Sequence, residues 1–428
     1  MKRTLIIPLL ALLCAQVSAK TDDFRHYFED KTLRINYLHI GNKNQESIEL
    51  CGFVVRNGWY GTRAELADPF QYGDMLVEVF SNLSGRLIYS RSYSCLFSEY
   101  RTTERGETEI AKMEECAVIP MPRHDFRVRI SSFDRRRTPT VLVDTVLVPG
   151  NLPLKNAGKN YKVKTLHRGG SPKRSLDILI VPDGYSKNDR KLLEYDVKRF
   201  ASYIMKCSPY KEFRKNVNIR AVIGYSEDSG ITQPQNNIHV NTLLNCTYNA
   251  IDLDRYLMCP GVWNLHDVAD DAPYDAIIII CNSDKYGGGG IYNFYCTVYN
   301  RGEYPDYVIV HEMGHLIGGL ADEYYTSDVS VQDFYPEGVE PTEPNITTLV
   351  DFESKWSGKV SQGTPVPTPS VGKDHPDFDR IGVYEGGGYV AKGVFRPSLH
   401  CTMNGAVYDD FCPVCRETLE KIIRYYSK

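Results

Sequence analysis

An all-β sandwich followed by an α/β unit is the fold class that the sequence predicts, and three observations carry it. Apolar residues alternate with period two up to about residue 148. A stretch rich in Gly, Pro and Lys follows, and beyond it near-continuous apolar runs alternate with a helical period. With 428 residues the chain exceeds the size at which one hydrophobic core stops growing, so two domains are expected. A hydrophobic content of 42% is that of a packed globular protein and excludes a disordered chain.

Lys2 and Arg3 precede an apolar run from Leu5 to Leu13, and Val17-Ser18-Ala19 offers small residues at a cleavage position. Residues 1–19 therefore read as a signal peptide, and the mature chain as exported. The run is too short to span a bilayer, and no later stretch of about 18 apolar residues is long enough. Cys14 raises a lipid anchor as an alternative, but Leu13 stands where a small residue is expected. Cleavage removes two cations and no acid, which moves the formal net charge from -4 to -6 and argues against nucleic acid as a partner.

Of twelve cysteines eleven survive cleavage, an odd number. Export permits disulfides, and Cys246 with Cys259, or Cys401 with Cys412, are candidate pairs by proximity. Cys412-Pro413-Val414-Cys415 has the spacing of a redox dithiol or of half a zinc knuckle. Without a second Cys-x-x-Cys or a thioredoxin-like βαβ context, a structural role is the expectation.

Strand-like segments in the first half are Leu33–Tyr37, Leu76–Phe80, Leu87–Tyr89, Phe126–Ile130 and Val141–Asp144, with Asn82-Leu83-Ser84-Gly85 as a hairpin turn. Several short strands with no helical period between them predict an antiparallel sandwich over residues 20–150, a support or substrate-docking module. Residues 151–175 read as a linker. Leu176–Val181 is a near-continuous apolar run, as expected of a strand buried on both faces. Ser186 with Asp189 predicts a capped helix burying Leu193, Val197, Phe200 and Ile204. Further strands are expected at Val217–Ile223 and Ala276–Cys281, giving a central, partly parallel sheet, and a last helix at Cys415–Tyr425. The Pro- and Gly-rich stretch from Tyr325 to Phe395 is too long for a bare loop and should be functional or carry short elements of its own.

The chemistry is concentrated in Tyr307 to Tyr324, which reads YVIVHEMGHLIGGLADEY. On a helix His311 and His315 lie one turn apart on one face, so both imidazoles reach one ion. Glu312 is rotated by about 100° around the helix axis, too far to be a good ligand but able to take a proton from a zinc-bound water. Zinc is the metal this pattern implies, because it acidifies water and polarises the scissile carbonyl. The motif follows an apolar, strand-like run, and Gly318 and Gly319 can turn the chain back. A third ligand is then wanted. Spacing of the His-Glu-x-x-His-x-x-Gly-x-x-His type falls on Ala321, which cannot bind metal; Asp322 is one place later and is reached if Gly319 makes the turn, with Glu323 as its rival.

The stretch His311 to Tyr324, Gly382-Val383-Tyr384-Glu385-Gly386, Phe395-Arg396-Pro397, Cys401-Thr402-Met403-Asn404 and Phe411 to Cys415 together resemble the bacterial IgA peptidase family of metallopeptidases. The similarity extends over most of the mature chain, since Leu33 to Gly41 resembles the start of that family's N-terminal β-domain. The resemblance implies a metzincin-like zincin catalytic domain over residues 176–428, a single zinc on His311, His315 and Asp322, catalytic Glu312, and secreted endopeptidase activity on a protein or peptide. It also gives Met403 a place, on a tight turn forming an apolar floor under the metal. Tyr389 and Tyr408 are candidate donors to an oxyanion or to substrate. The run Gly287 to Asn293 is a candidate edge strand for extended substrate, or a loop without that role; it lacks the lysine and spacing of a phosphate loop. Hydrolysis of a non-peptide amide and a binding module that has lost activity are the alternatives.

Overall fold

A computed structural model describes residues 21–325, 335–405 and 410–428. The expected signal peptide and Tyr408 lie outside the described residues.

The N-terminal half begins with helix α1 (Thr21–Tyr27) and builds two four-stranded sheets. One holds β1 (Phe28–Gly41), β2 (Glu46–Asn57), β5 (Ala111–Pro122) and β8 (Leu154–Asn156), in the order β5-β1-β2-β8; the other holds β3 (Met75–Ser81), β4 (Leu87–Tyr93), β6 (Phe126–Phe133) and β7 (Pro139–Leu147), in the order β4-β3-β6-β7. Two short helices, α2 (Leu96–Tyr100) and α3 (Glu104–Thr108), connect β4 to β5. Alternation dictates the packing: Leu33, Ile35 and Tyr37 of β1 face Val77, Val79, Val128 and Ile130 of the other sheet in one buried cluster. The β3–β4 hairpin closes at Ser81–Gly85, where Gly85 takes a left-handed φ of 68°.

The C-terminal half is a six-stranded sheet in the order β13-β14-β12-β10-β11-β9. Its strands are β9 (Lys162–Arg168), β10 (Leu176–Asp183), β11 (Val217–Ile223), β12 (Ala276–Cys281), β13 (Gly288–Gly290) and β14 (Cys296–Tyr299). The four central strands are parallel, and the edges β9 and β13 are antiparallel to their neighbours. Successive residues of β10 feed opposite cores: Ile178 and Ile180 pack with α4 (Arg190–Lys206), while Leu179 and Val181 pack with α5 (Val262–Ala269). Burial on both faces is why the run is apolar without alternation. The Ser186/Asp189 capping box stands ahead of α4, as the sequence suggests. Helices α6 (Pro305–Gly318) and α7 (Pro413–Tyr426) complete the layer on the α4 side, and a hairpin of β15 (Tyr384–Gly387) and β16 (Val390–Arg396) lies between them in sequence. No helix of the described residues is long and apolar enough to cross a membrane.

Three expectations are corrected. Residues 151–175 are not a bare linker: β8 pairs with β2 and β9 pairs with β11. The lysines of Lys162-Val163-Lys164 are those of an exposed sheet edge, where charge deters pairing with other chains. The run Tyr307–Val310 is not a strand before the motif but the opening turns of α6 itself, started by Pro305 at its first position. Three successive β-branched residues tolerate the helix because Val308, Ile309 and Val310 are all buried, and packing outweighs propensity. Cys246, Cys259, Cys401 and Cys412 are free thiols, although each candidate pair is in contact.

The two halves are joined by polar contacts. Arg34 of β1, 2% exposed, pairs with Asp267 and donates to Trp263 O at 3.1 Å, while Trp263 Nε1 donates to Glu115 O at 2.9 Å. Asn293 Nδ2 donates to Ser92 O at 2.8 Å, and Ser94 N to Tyr292 O at 2.9 Å. The sandwich thereby holds the segment that immediately follows β13.

Candidate metal centre

Helix α6 is apolar nearly all round, and from Tyr307 onward only Tyr307, Glu312 and His315 are partly open. Tyr307, His311 and His315 recur at four-residue intervals and so share one face. Gly319 ends the helix in the left-handed conformation, φ 57°, and donates to His315 O at 3.0 Å. That turn returns the chain so that Asp322 faces both rings.

Three ligand-type atoms converge. His311 Nε2 lies 2.9 Å and His315 Nε2 3.4 Å from Asp322 Oδ1, and the two Nε2 atoms are 3.2 Å apart. The opposite ring nitrogens are committed elsewhere: His311 Nδ1 donates to Thr402 O at 3.1 Å, and His315 Nδ1 to Leu320 O at 2.6 Å. With protons on Nδ1, both Nε2 lone pairs point at a carboxylate oxygen that is buried and receives no well-formed hydrogen bond. Two lone pairs and an orphaned anionic oxygen repel one another unless a cation lies among them, so the donor set fits a divalent metal with nitrogen and oxygen ligands. Glu323, the rival ligand, faces away; its Oε1 accepts from Asn345 Nδ2 and Cys415 Sγ, both at 3.1 Å.

The electrostatics agree with a concentrated anionic site. Burial alone would raise Asp322, but the His315 and His311 rings outweigh it and hold its carboxyl well below the usual range. Burial would lower His315, yet Asp322 and then Glu312 raise it to about 9, which shows how strongly the site favours positive charge. Burial pushes Glu312 above the ordinary carboxylate value against the pull of both imidazoles.

The remaining named residues are placed as follows. Met403 is fully buried in a turn at 402–404, and its sulfur lies so close to Gly314 that a Cβ there would meet it at 2.5 Å. It therefore packs under α6 between the two histidine turns. The Tyr389 hydroxyl donates to Asp322 Oδ2. Strand β13 runs along the Glu312 side of α6. A Cβ at Gly290 would stand 2.5 Å from Glu312 O and 2.9 Å from His315 Cβ, so only glycine lets the strand approach this closely.

Sequence reasoning missed Tyr307, Tyr324 and Arg255. The Tyr307 hydroxyl is 3.1 Å from His311 Nδ1, and Tyr324 stacks on the His311 ring at 6.4 Å between centroids. Arg255 reaches the Tyr324 hydroxyl and lowers Glu312 through space. Tyr307, four residues before His311, was legible from helical spacing; Arg255 sits in a loop with no motif around it.

A buried helix presenting two imidazoles and a glutamate beside the edge strand β13, with a carboxylate folded back onto them, suits metal-dependent hydrolysis. Comparison with known families agrees: the family described as IgA peptidase M64 matches residues 165–380 and 370–423, and the family of the peptidase M64 N-terminus matches residues 23–142. The chain belongs to the IgA peptidase M64 family and is a metallopeptidase, a hydrolase that acts on protein. No curated protein matches the chain.

Proposed function

We propose that the protein is an exported, zinc-dependent endopeptidase with a metzincin-like zincin catalytic unit. Its metal is held by His311, His315 and Asp322, and its general base is Glu312. The observation that carries this reading is the meeting of His311 Nε2, His315 Nε2 and Asp322 Oδ1 beside the partly open Glu312. Zinc bound there supplies Lewis acidity, polarising the scissile carbonyl and acidifying water. Glu312 takes the proton from the attacking water and delivers it to the leaving nitrogen. Thr402 O and Leu320 O keep the imidazoles in the ligating tautomer, Tyr389 orients Asp322, and Met403 gives the site an apolar floor.

Strand β13 pairs with β14 along one side and, at Gly288, bridges Tyr256 on the other, so an extended peptide can add to that second edge only beyond the bridge, where Gly290 lies against Glu312 and His315 of α6. Arg255, which acts on Glu312 and Tyr324, and Tyr324, stacked on the His311 ring, are the groups assigned to stabilise the charge that develops on the carbonyl oxygen. The sandwich, residues 20–150, serves as support by gripping Tyr292 and Asn293 after that strand. Export follows signal-peptide cleavage near Ala19. An extracellular protein is the substrate class, and the family's description makes immunoglobulin A the first to try.

Cleavage of a mixed peptide library by the wild type and by Glu312→Gln, with metal content measured on both, tests the reading. It expects turnover lost and metal kept. Undiminished cleavage by the variant overturns the mechanism, and a wild type that holds metal but cleaves no peptide favours a non-peptide amide as substrate.

A further inference from the structure

We infer that Glu323, Cys401, Cys412 and Cys415 bind a second metal ion, a structural zinc adjoining the catalytic one. The four side chains are buried, and their ligand atoms lie within 4.8 Å of one another. Cys401 Sγ and Cys415 Sγ are 3.8 Å apart, which is the edge of a tetrahedron whose sulfurs sit at about 2.3 Å from its centre. Cys415 Sγ is 3.1 Å from Glu323 Oε1, and Glu323 Oε2 is buried with no hydrogen-bond donor. A fully buried carboxylate with an unsatisfied oxygen is costly beside three neutral thiols and is stabilised by a cation.

The surroundings suit thiolates. Cys412 stands at the N-cap of α7, with Pro413 at the first helical position; burial would raise its thiol, but Cys401, Cys415 and the backbone of Cys415 and Val414 at the helix start hold it well below the usual value. The Cys412 N–H points at Cys401 Sγ at 3.3 Å. Helix N-terminal N–H groups stabilise negative sulfur. Three sulfurs are also an odd number for disulfide chemistry: one bridge would leave a third buried thiol, and Glu323 Oε2 would still lack a donor. Cys412-x-x-Cys415 is then half of a knuckle whose other half comes from two distant loops.

This site goes beyond the proposed catalytic metal and does not depend on it. Glu323 follows Asp322 directly, and Cys401 is two residues from Met403, while Glu323 N donates to Met403 O at 2.8 Å. Binding exchanges thiol protons for the ion without redox chemistry, and it clamps the loops that carry Asp322 and Met403 onto α7.

The test uses the full chain, purified without chelator, and its His311→Ala/His315→Ala variant. Zinc analysis should find two ions per chain in the wild type and one in the variant. Cobalt exchanged into the variant should give the near-ultraviolet thiolate-to-cobalt charge-transfer band, which imidazole and carboxylate ligands do not produce. If wild type and variant hold the same single zinc with that band, the second site stands and the catalytic reading falls. A single zinc that the histidine substitutions abolish, a cobalt variant without the band, or a Cys401 disulfide to Cys412 or Cys415 in the unreduced protein overturns this inference. Cys412→Ser/Cys415→Ser should lose one zinc equivalent, and the histidine variant decides the case if that protein fails to fold.

Discussion

His39, in the sandwich, and His315, on α6, both lie against buried carboxylates, yet their ring nitrogens end on different partners. His39 Nδ1 meets Glu115 at 3.0 Å and Nε2 meets Glu46 at 2.9 Å, with the ring stacked on Phe97 at 3.8 Å. Both nitrogens face anions, so both carry protons and no lone pair is left for a metal, even though Cys95 lies near. His315 donates its Nδ1 proton to a peptide carbonyl, so its Nε2, aimed into a space shared with His311, is the nitrogen that a cation can claim in exchange for a proton. The second partner of the ring, rather than the nearest carboxylate, separates an ion pair from a metal ligand.

The largest effects break the His315 side of the comparison. His315→Ala should lose one equivalent of metal and essentially all activity, measured by elemental analysis and peptide cleavage, whereas His39→Gln should keep its metal. Glu312→Gln should keep metal and lose about 10²–10⁴ in turnover. Full metal content in His315→Ala would remove it from the ligand set.

The sandwich side is tested by pH. Burial would lower His39, but Glu115 and then Glu46 raise it to about 9 from an ordinary 6.5. A folded value above the unfolded one stabilises fully below about pH 6.5 and loses that contribution as pH rises through about 9. The ion pairs are therefore worth up to about 3 kcal/mol at pH 6. Chemical denaturation of wild type and His39→Gln should show a gap of that order at pH 6 that closes by about pH 9.5. A gap independent of pH would mean that His39 is not charged in the folded protein.

Gly290→Ala probes the strand that both regions hold. The new Cβ would meet the backbone oxygen of Glu312, so β13 must move; a cost of about 1–3 kcal/mol is expected. Peptide cleavage should fall with it, because the displaced edge no longer lies beside Glu312. Gly372→Ala, which meets nothing within 4 Å, is the control and should be neutral in thermal unfolding and in activity. Equal behaviour of the two variants would remove β13 from the substrate site.

Much of this was legible in the sequence where one physical demand dominates. Strands β10 and β12 show as apolar runs because both faces are covered, and α4 shows through its capping box and buried face. His311, Glu312 and His315 are set by helical geometry, and Gly319 returns Asp322 to them. Where two demands compete, the pattern misleads. Val308-Ile309-Val310 has strand propensity but the all-round burial of a core helix, and β9 has linker composition because an exposed edge wants lysine. The stretch from Tyr325 to Phe395 hides β15 and β16, whose few residues are too short for a period to show. The cluster at Glu323 was illegible for another reason: its members come from three separated segments, and only folding brings them together.

Tyr389 gives the smallest effect and the sharpest reading of the comparison. Sequence suggests it as a donor to the oxyanion, whereas the structure puts its hydroxyl on Asp322 Oδ2, with its ring edge-on to Tyr324 at 5.4 Å. Asp322 thus has the Tyr389 hydroxyl on one oxygen and two imidazoles at the other, whereas Glu115 and Glu46 each meet one imidazole, with Tyr37 or Arg101 on the second oxygen. Tyr389→Phe keeps the ring contact and removes only the hydroxyl. If Tyr389 positions the ligand, metal affinity should fall about tenfold, read by competition with a chelator, while kcat at saturating zinc stays nearly unchanged. If it donates to the oxyanion, kcat at saturating zinc should instead fall about 10²–10³ with affinity unaltered, because the donor then acts on the reacting carbonyl rather than through Asp322.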